Sequence, residues 1–310
     1  MIVSVTMNPA VDETLTVPQF RLGETNRIQA TDIDPGGKGL NVSRVIRRLG
    51  RPTVAVILIG GETGEFIRNR LEREGVDMEL VEIEGTTRVN ISIIDESTDV
   101  QTSLNHEGPR IDIGDLHAVE RKIEEWLPEL EVMVLGGSLP PGAPPDAYAR
   151  LIKWVRQTEI RSILDTSGQA LTEGIEAKPY MIKPNLRETR QVLGRDLKTD
   201  KDIVAAGQEL VGRGIQVVVI SMGKEGAIAV AEEGAWKARP PIVEKQSALG
   251  AGDSMVAGLA IGLSEHAGVA ESLALGTAAA TATVTTPGTE LCRPDDVQEL
   301  LPTVKVEKIA

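Results

Sequence analysis

Two stretches of this chain place groups that handle phosphate next to groups that handle protons. In Gln246–Leu263, QSALGAGDSMVAGLAIGL, a polar glycine-rich turn opens directly into an apolar helix. The amides of Gly250, Ala251 and Gly252 can converge there, and the helix start adds partial positive charge. Such a nest suits a phosphate or a developing phosphoryl anion. Asp253 follows at once. Read structurally it is the helix N-cap; read chemically it is a base beside an anion site. Met255 stands where a dinucleotide fingerprint has its third glycine, which disfavours an NAD oxidoreductase.

The second stretch is Pro35–Gly50, PGGKGLNVSRVIRRLG. Gly36 and Gly37 allow a ligand close to the backbone, Lys38 offers a mobile cation, and Asn41 can both donate and accept. Val42, Val45, Ile46 and Leu49 form a helical apolar face behind them. The spacing is not that of a P-loop, and the plainer reading is a glycine turn before a core helix. His106, His117 and His266 show no ligand spacing for zinc, and no G-x-S-x-G supports a hydrolase elbow.

Composition narrows the partners. The chain has 310 residues, 41% hydrophobic and 25% charged, enough to bury a sizeable core. With 46 acids against 33 bases its net charge is -13, which argues against nucleic acid, and the 2% aromatic content leaves no stacking platform for bases. A phosphorylated ligand therefore needs a locally positive pocket. Cys292 is the only cysteine, as fits a reducing compartment. The start, MIVSVTMNPAVDE, reads as a first strand and not a signal peptide. Ser272–Val284 is too short and polar to span a bilayer. The expectation is a cytoplasmic protein without a membrane partner.

These residues need a scaffold. Apolar β-branched runs at Thr53–Ile59, Glu131–Leu135, Ser162–Leu164, Tyr180–Ile182 and Gln216–Ser221 alternate with helical patterns at Phe66–Glu74, Pro145–Gln157 and Asp200–Arg213. That rhythm implies an α/β fold with a mainly parallel sheet flanked by helices, its chemistry at the carboxyl ends of the strands. Two regions break it. Glu13–Val17 with Arg27–Asp34, and Arg88–Asp95 with Val100–Asn105 around Glu96–Asp99, predict a small antiparallel sheet. It would lie as a lid over the main sheet or extend that sheet's edge. The tail after about Val304 is expected to fray.

Taken together, the two stretches resemble the paired signatures of the PfkB (ribokinase-like) family of carbohydrate kinases. Further matches fall in the family's order: NPAVD at Asn8–Asp12, GGETG at Gly60–Gly64, TRVN at Thr87–Asn90, GGSLPPG at Gly136–Gly142, LDTSGQAL at Leu164–Leu171, KPNLRE at Lys183–Glu188 and SMGKEGA at Ser221–Ala227. The resemblance covers essentially the whole chain. It implies a Rossmann-type domain over 1–310 with a β-sheet lid from segments near 13–34 and 86–106, and a homodimer in which lids clasp. GSLPPG and KPN-x-x-E are similar to the phosphosugar branch. QSALGAGDSMV and GTELCRPDDVQ are similar to minor bacterial 6-phosphofructokinases. GGKGLN and ETNR are closer to 1-phosphofructokinases and tagatose-6-phosphate kinases.

The resemblance also implies residue roles. Asp12, Gly36, Gly37 and Asn41 would hold the hydroxyls of a phosphorylated ketohexose. Arg88 would grip its phosphate with Arg27, Lys38, Asn90 and Ser138, a guanidinium fork suiting phosphate. ATP would lie along Lys183, Asn185, Ser221, Gly223, Gly226, Gly250 and Gly252. Asn185 and Glu188 would hold Mg²⁺ largely through water, while the same two residues can cap a helix. Carbonyls of Ser247 and Leu249, with Gly288, would hold K⁺. Asp253 would take the hydroxyl proton, with Gly250, Ala251 and Gly252 as the anion hole. Ala248 replaces a common Thr. The implied reaction is fructose 6-phosphate to fructose 1,6-bisphosphate, with fructose 1-phosphate or tagatose 6-phosphate as alternative substrates. A non-catalytic sugar-phosphate sensor is the competing class, and it would have no need of Asp253 or Glu188.

Overall fold

Strand β4 (Thr53–Ile59), TVAVILI, is buried along its whole length, because helices cover both faces of the sheet that holds it. A computed structural model describes residues 1–98 and 100–310. Six strands lie parallel to β4 or to its neighbours: β1 (Ile2–Thr6), β5 (Asp77–Glu82), β8 (Val132–Gly136), β9 (Arg161–Asp165), β10 (Met181–Ile182) and β11 (Val217–Ser221). Beyond β11 the sheet turns antiparallel through β12 (Ala227–Ala231), β13 (Gly234–Arg239) and β14 (Lys305–Lys308). The full order is β14-β13-β12-β11-β10-β9-β8-β1-β4-β5. The tail expected to fray is thus the edge strand, because its backbone completes the ladder of β13.

Side chains alternate between the two faces and build a core on each. Helices α1 (Lys38–Arg48), α2 (Gly61–Glu74), α8 (Ala251–Ser264), α9 (Val269–Val284) and α10 (Pro294–Leu300) pack on one face. Helices α3 (Ile113–Glu124), α4 (Ala147–Val155), α5 (Gly168–Glu176), α6 (Leu186–Leu193) and α7 (Asp200–Gly212) pack on the other. Helices α8 and α9 carry glycines where their backbones meet: a Cβ on Gly258 would lie 2.6 Å from the backbone of Gly276. That contact explains the Ala- and Gly-rich composition of these two helices. Among the described residues no helix is long and apolar enough to cross a membrane.

The two irregular regions form a second sheet of four strands, β3 (Ala30–Gly36), β2 (Ala10–Val17), β6 (Arg88–Asp95) and β7 (Val100–Leu104), in that order. It is a separate sheet and not an extension of the main one. It is also not purely antiparallel. Two hairpins, β2–β3 and β6–β7, join through a parallel pairing of β2 with β6. The segments come from separate parts of the chain, so no hairpin turn imposes an antiparallel pairing between them. Of the turn expected at Glu96–Asp99, Asp99 lies outside the described residues. The sheet is two-faced by register. Asp12 pairs with Asp34 and Asn90, and Thr14 with Asp32 and Ser92, on one face; Glu13 pairs with Ile33 and Ile91, and Ile91 with Leu104, on the other.

Candidate active site

The carboxyl ends of the parallel strands converge on one place. After β1 come Asn8 and Pro9, after β8 Gly137 and Ser138, and after β10 Lys183 and Asn185; Asp165 ends β9 and Ser221 ends β11. The start of α8 and the polar face of the small sheet close over this row. Between them lies a cavity of about 440 Å³ whose wall includes Asp12, Gly37, Lys38, Asn41, Arg88, Asn90, Ser138, Leu249, Gly250 and Asp253. A more open cleft of about 650 Å³ adjoins it and shares Asn8, Arg88, Asn105 and Ser138 with its wall. The enclosed cavity is the one that contains Asp253, so the chemistry is placed there.

Gly250 adopts φ 74 and is the N-cap of α8, with no side-chain cap. Asp253 is therefore not the cap. It sits inside the first turn, 8% exposed, and its Oδ2 accepts a 2.8 Å hydrogen bond from Asn41 Nδ2. Burial raises its pKa to about 6, against the opposing pull of Lys38, Lys183 and the Asn41 hydrogen bond, while Asp165 pushes it further up. A carboxylate poised there is ionised at neutral pH yet basic enough to accept a hydroxyl proton.

Beneath the turn lies a buried charge cluster. Asp165 is 2% exposed, and its Oδ1 accepts from Lys38 Nζ at 3.1 Å and lies 3.4 Å from Lys183 Nζ. The two ammonium groups hold the carboxyl below its usual range against the desolvation that would raise it. Lys38, whose side chain is only partly buried, stays protonated against the desolvation it does suffer, because Asp165, Asp253 and Glu188 all favour its cation. Lys183 Nζ would lie 3.7 Å from a Cβ on Gly252, directly under the anion turn. The site thus supplies the local positive charge that a chain of net charge -13 needs.

The opposite wall is built for a second anion. Arg88, half-buried, donates from Nη1 to the His106 carbonyl at 2.8 Å and from Nη2 to the Asn8 carbonyl at 2.9 Å and to Ser138 Oγ at 3.4 Å. It is held in place and is not a loose surface charge. Asn90 Nδ2 donates to Asp12 Oδ1 at 2.9 Å, fixing the acid whose carboxyl burial makes less acidic. Gly36 is needed because a Cβ there would overlap the Asp12 carboxyl; Gly37 is needed for its φ of 126 and because a Cβ would meet Thr6 at 2.9 Å.

Some expectations are redrawn. Arg27 is exposed and outside the cavity wall; it lies in the mostly exposed connection, residues 18–29, between β2 and β3. Asn185 and Glu188 form a reciprocal cap on α6: Asn185 N donates to Glu188 Oε2 at 2.8 Å and Glu188 N to Asn185 Oδ1 at 2.9 Å. Asn185 also bridges to Ser221, so the nucleotide residues expected along the sheet edge are neighbours. Of the glycines there, a Cβ on Gly226 would collide with the Ala238 carbonyl, whereas Gly223 has open space around it and serves a turn at φ 60. Ser247 is buried and its Oγ accepts from Leu249 N at 3.2 Å. Val284 binds Gln246 and Ser247 through its carbonyl, which brings the segment bearing Gly288 against that turn.

Residues not singled out from sequence also line the site. Asn8, Ser92, Ser103, Asn105, Ser167 and Thr289 are on the cavity wall. Asp165 had a signal: an acid ending a run of buried apolar residues is rarely inert. The others are small polar residues of loops and of the small sheet, and nothing in their spacing separates them from ordinary surface.

Residues 5–296 match the pfkB family of carbohydrate kinases, and the chain belongs to that family. It is 35% identical to the 1-phosphofructokinase of Bacillus subtilis (strain 168), covering 100% of both chains. It is 35% identical to the tagatose-6-phosphate kinase of Staphylococcus epidermidis, covering 85% of each. The crystal structure of phosphofructokinase-2 from Escherichia coli in complex with fructose-6-phosphate superposes with TM-score 0.90 at 33% identity, over 97% of this chain and 98% of that one; the same enzyme in complex with potassium gives 0.91. The chain is a sugar kinase, a phosphotransferase with an alcohol acceptor.

Proposed function

We propose that the protein is an ATP-dependent kinase of a ketohexose phosphate. Fructose 6-phosphate is the leading acceptor and fructose 1,6-bisphosphate the product. The observation that carries this is one cavity with a clamped guanidinium, Arg88, on one wall and a buried carboxylate of raised pKa, Asp253, at the start of a helix on another. A sugar phosphate spans those two groups, its phosphate on Arg88 and a primary hydroxyl toward Asp253. Fructose 6-phosphate and fructose 1-phosphate both meet that description, as does tagatose 6-phosphate, in keeping with the mixed activities of the relatives.

In this reading Asp12, Gly37 and Asn41 orient the sugar, with Asn90 holding Asp12. Asp253 Oδ accepts the hydroxyl proton as the oxygen attacks the γ-phosphorus of ATP. The amides of Gly250, Ala251, Gly252 and Asp253 receive the transferring phosphoryl oxygens, with Lys38 and Lys183 beneath. Asn185 and Glu188 fit a water-mediated Mg²⁺ site: their capping bonds leave carboxylate lone pairs free, and Glu188 charge reaches Lys38. When bound, the ion would neutralise phosphate charge. Ser247, Leu249 and the Gly288 segment offer only oxygen donors, as suits K⁺.

The chain is read as one kinase unit over 1–310, acting in the cytoplasm, with the small sheet as its lid. The lid's outer face carries Ile33 at 45% and Leu104 at 54% exposure, joined by Ile91 and Leu15. Such a face supports a homodimer through the lids. A coupled ADP-release assay across fructose 6-phosphate, fructose 1-phosphate and tagatose 6-phosphate tests the reading. Turnover of at least one is expected to exceed that of free fructose, and Arg88→Ala is expected to raise KM for the phosphosugar while sparing that for ATP. ADP release from none of the three refutes the reading.

A further inference from the structure

Arg44 is among the largest fully buried side chains of the described residues, 1% exposed, and it lies one turn along α1 from Asn41. Its Nε and Nη2 donate to Glu74 Oε2 and Oε1, both at 2.8 Å, in a bidentate pair across to α2. Nη1 donates to the Pro35 carbonyl at 3.1 Å and reaches Asn41 Oδ1 at 3.4 Å. Glu74 is steadied in turn by Arg70, whose Nε lies 3.4 Å away and whose Nη2 holds Asp34 Oδ1 at 3.0 Å.

A primary amide has two orientations that fill the same space. In this one Asn41 turns its oxygen to a guanidinium and its NH₂ to the Asp253 carboxylate at 2.8 Å. The flipped amide would set oxygen against carboxylate and NH₂ against guanidinium, two repulsive contacts in a low-dielectric site. We propose that Arg44, clamped by Glu74, is a positioning residue that locks the amide of Asn41 so that its NH₂ faces Asp253. The proposal rests on the reading of Asp253 as the base. The same guanidinium pins Pro35, so the glycine turn at Gly36 and Gly37 and the amide are fixed by one group.

A buried ion pair is often only a tie between helices, so the test must read the base and not the fold. Asp253 is also faced by Lys38 on α1, by Asp165 ending β9 and by Lys183 after β10, with Glu188 on α6 acting on Lys38. The variants below leave all four in place. Replacing Arg44→Met together with Glu74→Leu removes one charge of each sign, leaves their other ion-pair partners, Asp34 and Arg70, paired with each other, and leaves Asn41 Oδ1 without its donor. A looser amide donates less to Asp253, favours its protonated form and moves the acidic limb of kcat/KM to higher pH.

The expected result is a loss of about tenfold near pH 5.5 against less than about threefold near pH 8.5, as a rise of about one pH unit in the base requires. Glu74→Gln keeps the buried guanidinium and weakens its hold; a smaller shift of the same sign is expected, and this variant decides the matter if the pair does not fold. A limb at its wild-type position, or an equal loss at both pH values, overturns the proposal. Asp253→Asn measured alongside separates the two ideas: normal turnover there refutes the base itself, whereas loss of turnover there with an unmoved limb in the Arg44 variants refutes only the positioning.

Discussion

Asp253 has two effects that pull apart. Its carboxyl is held at about pH 6 in the folded chain and at the ordinary value near 3.8 when unfolded. A raised folded pKa means the native state binds the proton more tightly, so its stabilising contribution is full below the unfolded value and is lost as pH rises through 6. At neutral pH the ionised carboxylate therefore weakens the fold in which it works. Asp253→Asn is expected to lower kcat by about 10²-fold or more, since general-base contributions run to about 10²–10⁴-fold. Its Tm at pH 7.5 is expected to match or exceed the wild type, an advantage that disappears near pH 4. Steady-state kinetics with thermal melts at the two pH values checks both halves; lower stability at pH 7.5 would mean the carboxylate was holding the helix instead. The wild-type pH–rate profile is expected to show an acidic limb near pH 6.

At the scale of elements, α6 shows how one pair of side chains can serve the backbone and a ligand. Asn185 and Glu188 close a reciprocal cap, and glutamine can take the place of glutamate in that cap. Glu188→Gln is expected to melt within a few degrees of wild type while needing several-fold more Mg²⁺ for half-maximal rate, which a metal titration reads directly. Much of this level is legible in the sequence. Buried strands such as TVAVILI and the polar turns before α1 and α8 announce themselves, because periodicity and glycine clusters are local signals. The cap on α6 was equally local. What could not be read is what depends on distant pairings: that β2 lies parallel to β6, that β12 to β14 run antiparallel, and that Asp165 rests between Lys38 and Lys183. Between cap and base the sequence leaves Asp253 open, and the φ of Gly250 decides it, because it shows the helix beginning three residues earlier.

Across the whole molecule, charge and apolar surface are sorted by position. The small sheet presents polar residues to the cavity and Ile33, Ile91 and Leu104 outward, so a charge placed outward tests association without touching the site. Leu104→Asp is expected to shift the protein toward monomer in size-exclusion chromatography with light scattering, and an unchanged mass would place any interface elsewhere. The far edge of the main sheet follows a different logic. There β14 alternates lysine, valine, glutamate and lysine, pairs with β13, and rests Lys308 5.4 Å from the Trp236 ring. Without it, β13 would present its ladder groups to solvent beside Trp236 and Ala238, a template for another chain. The last strand thus acts as a guard against self-association, remote from the kinase chemistry. Deleting residues 304–310 should leave activity at low concentration close to normal but make the protein scatter light on warming, well before the full-length chain does. The exposed Lys305 and Glu307 set charge beside the open edge of β14, which discourages another strand from adding there.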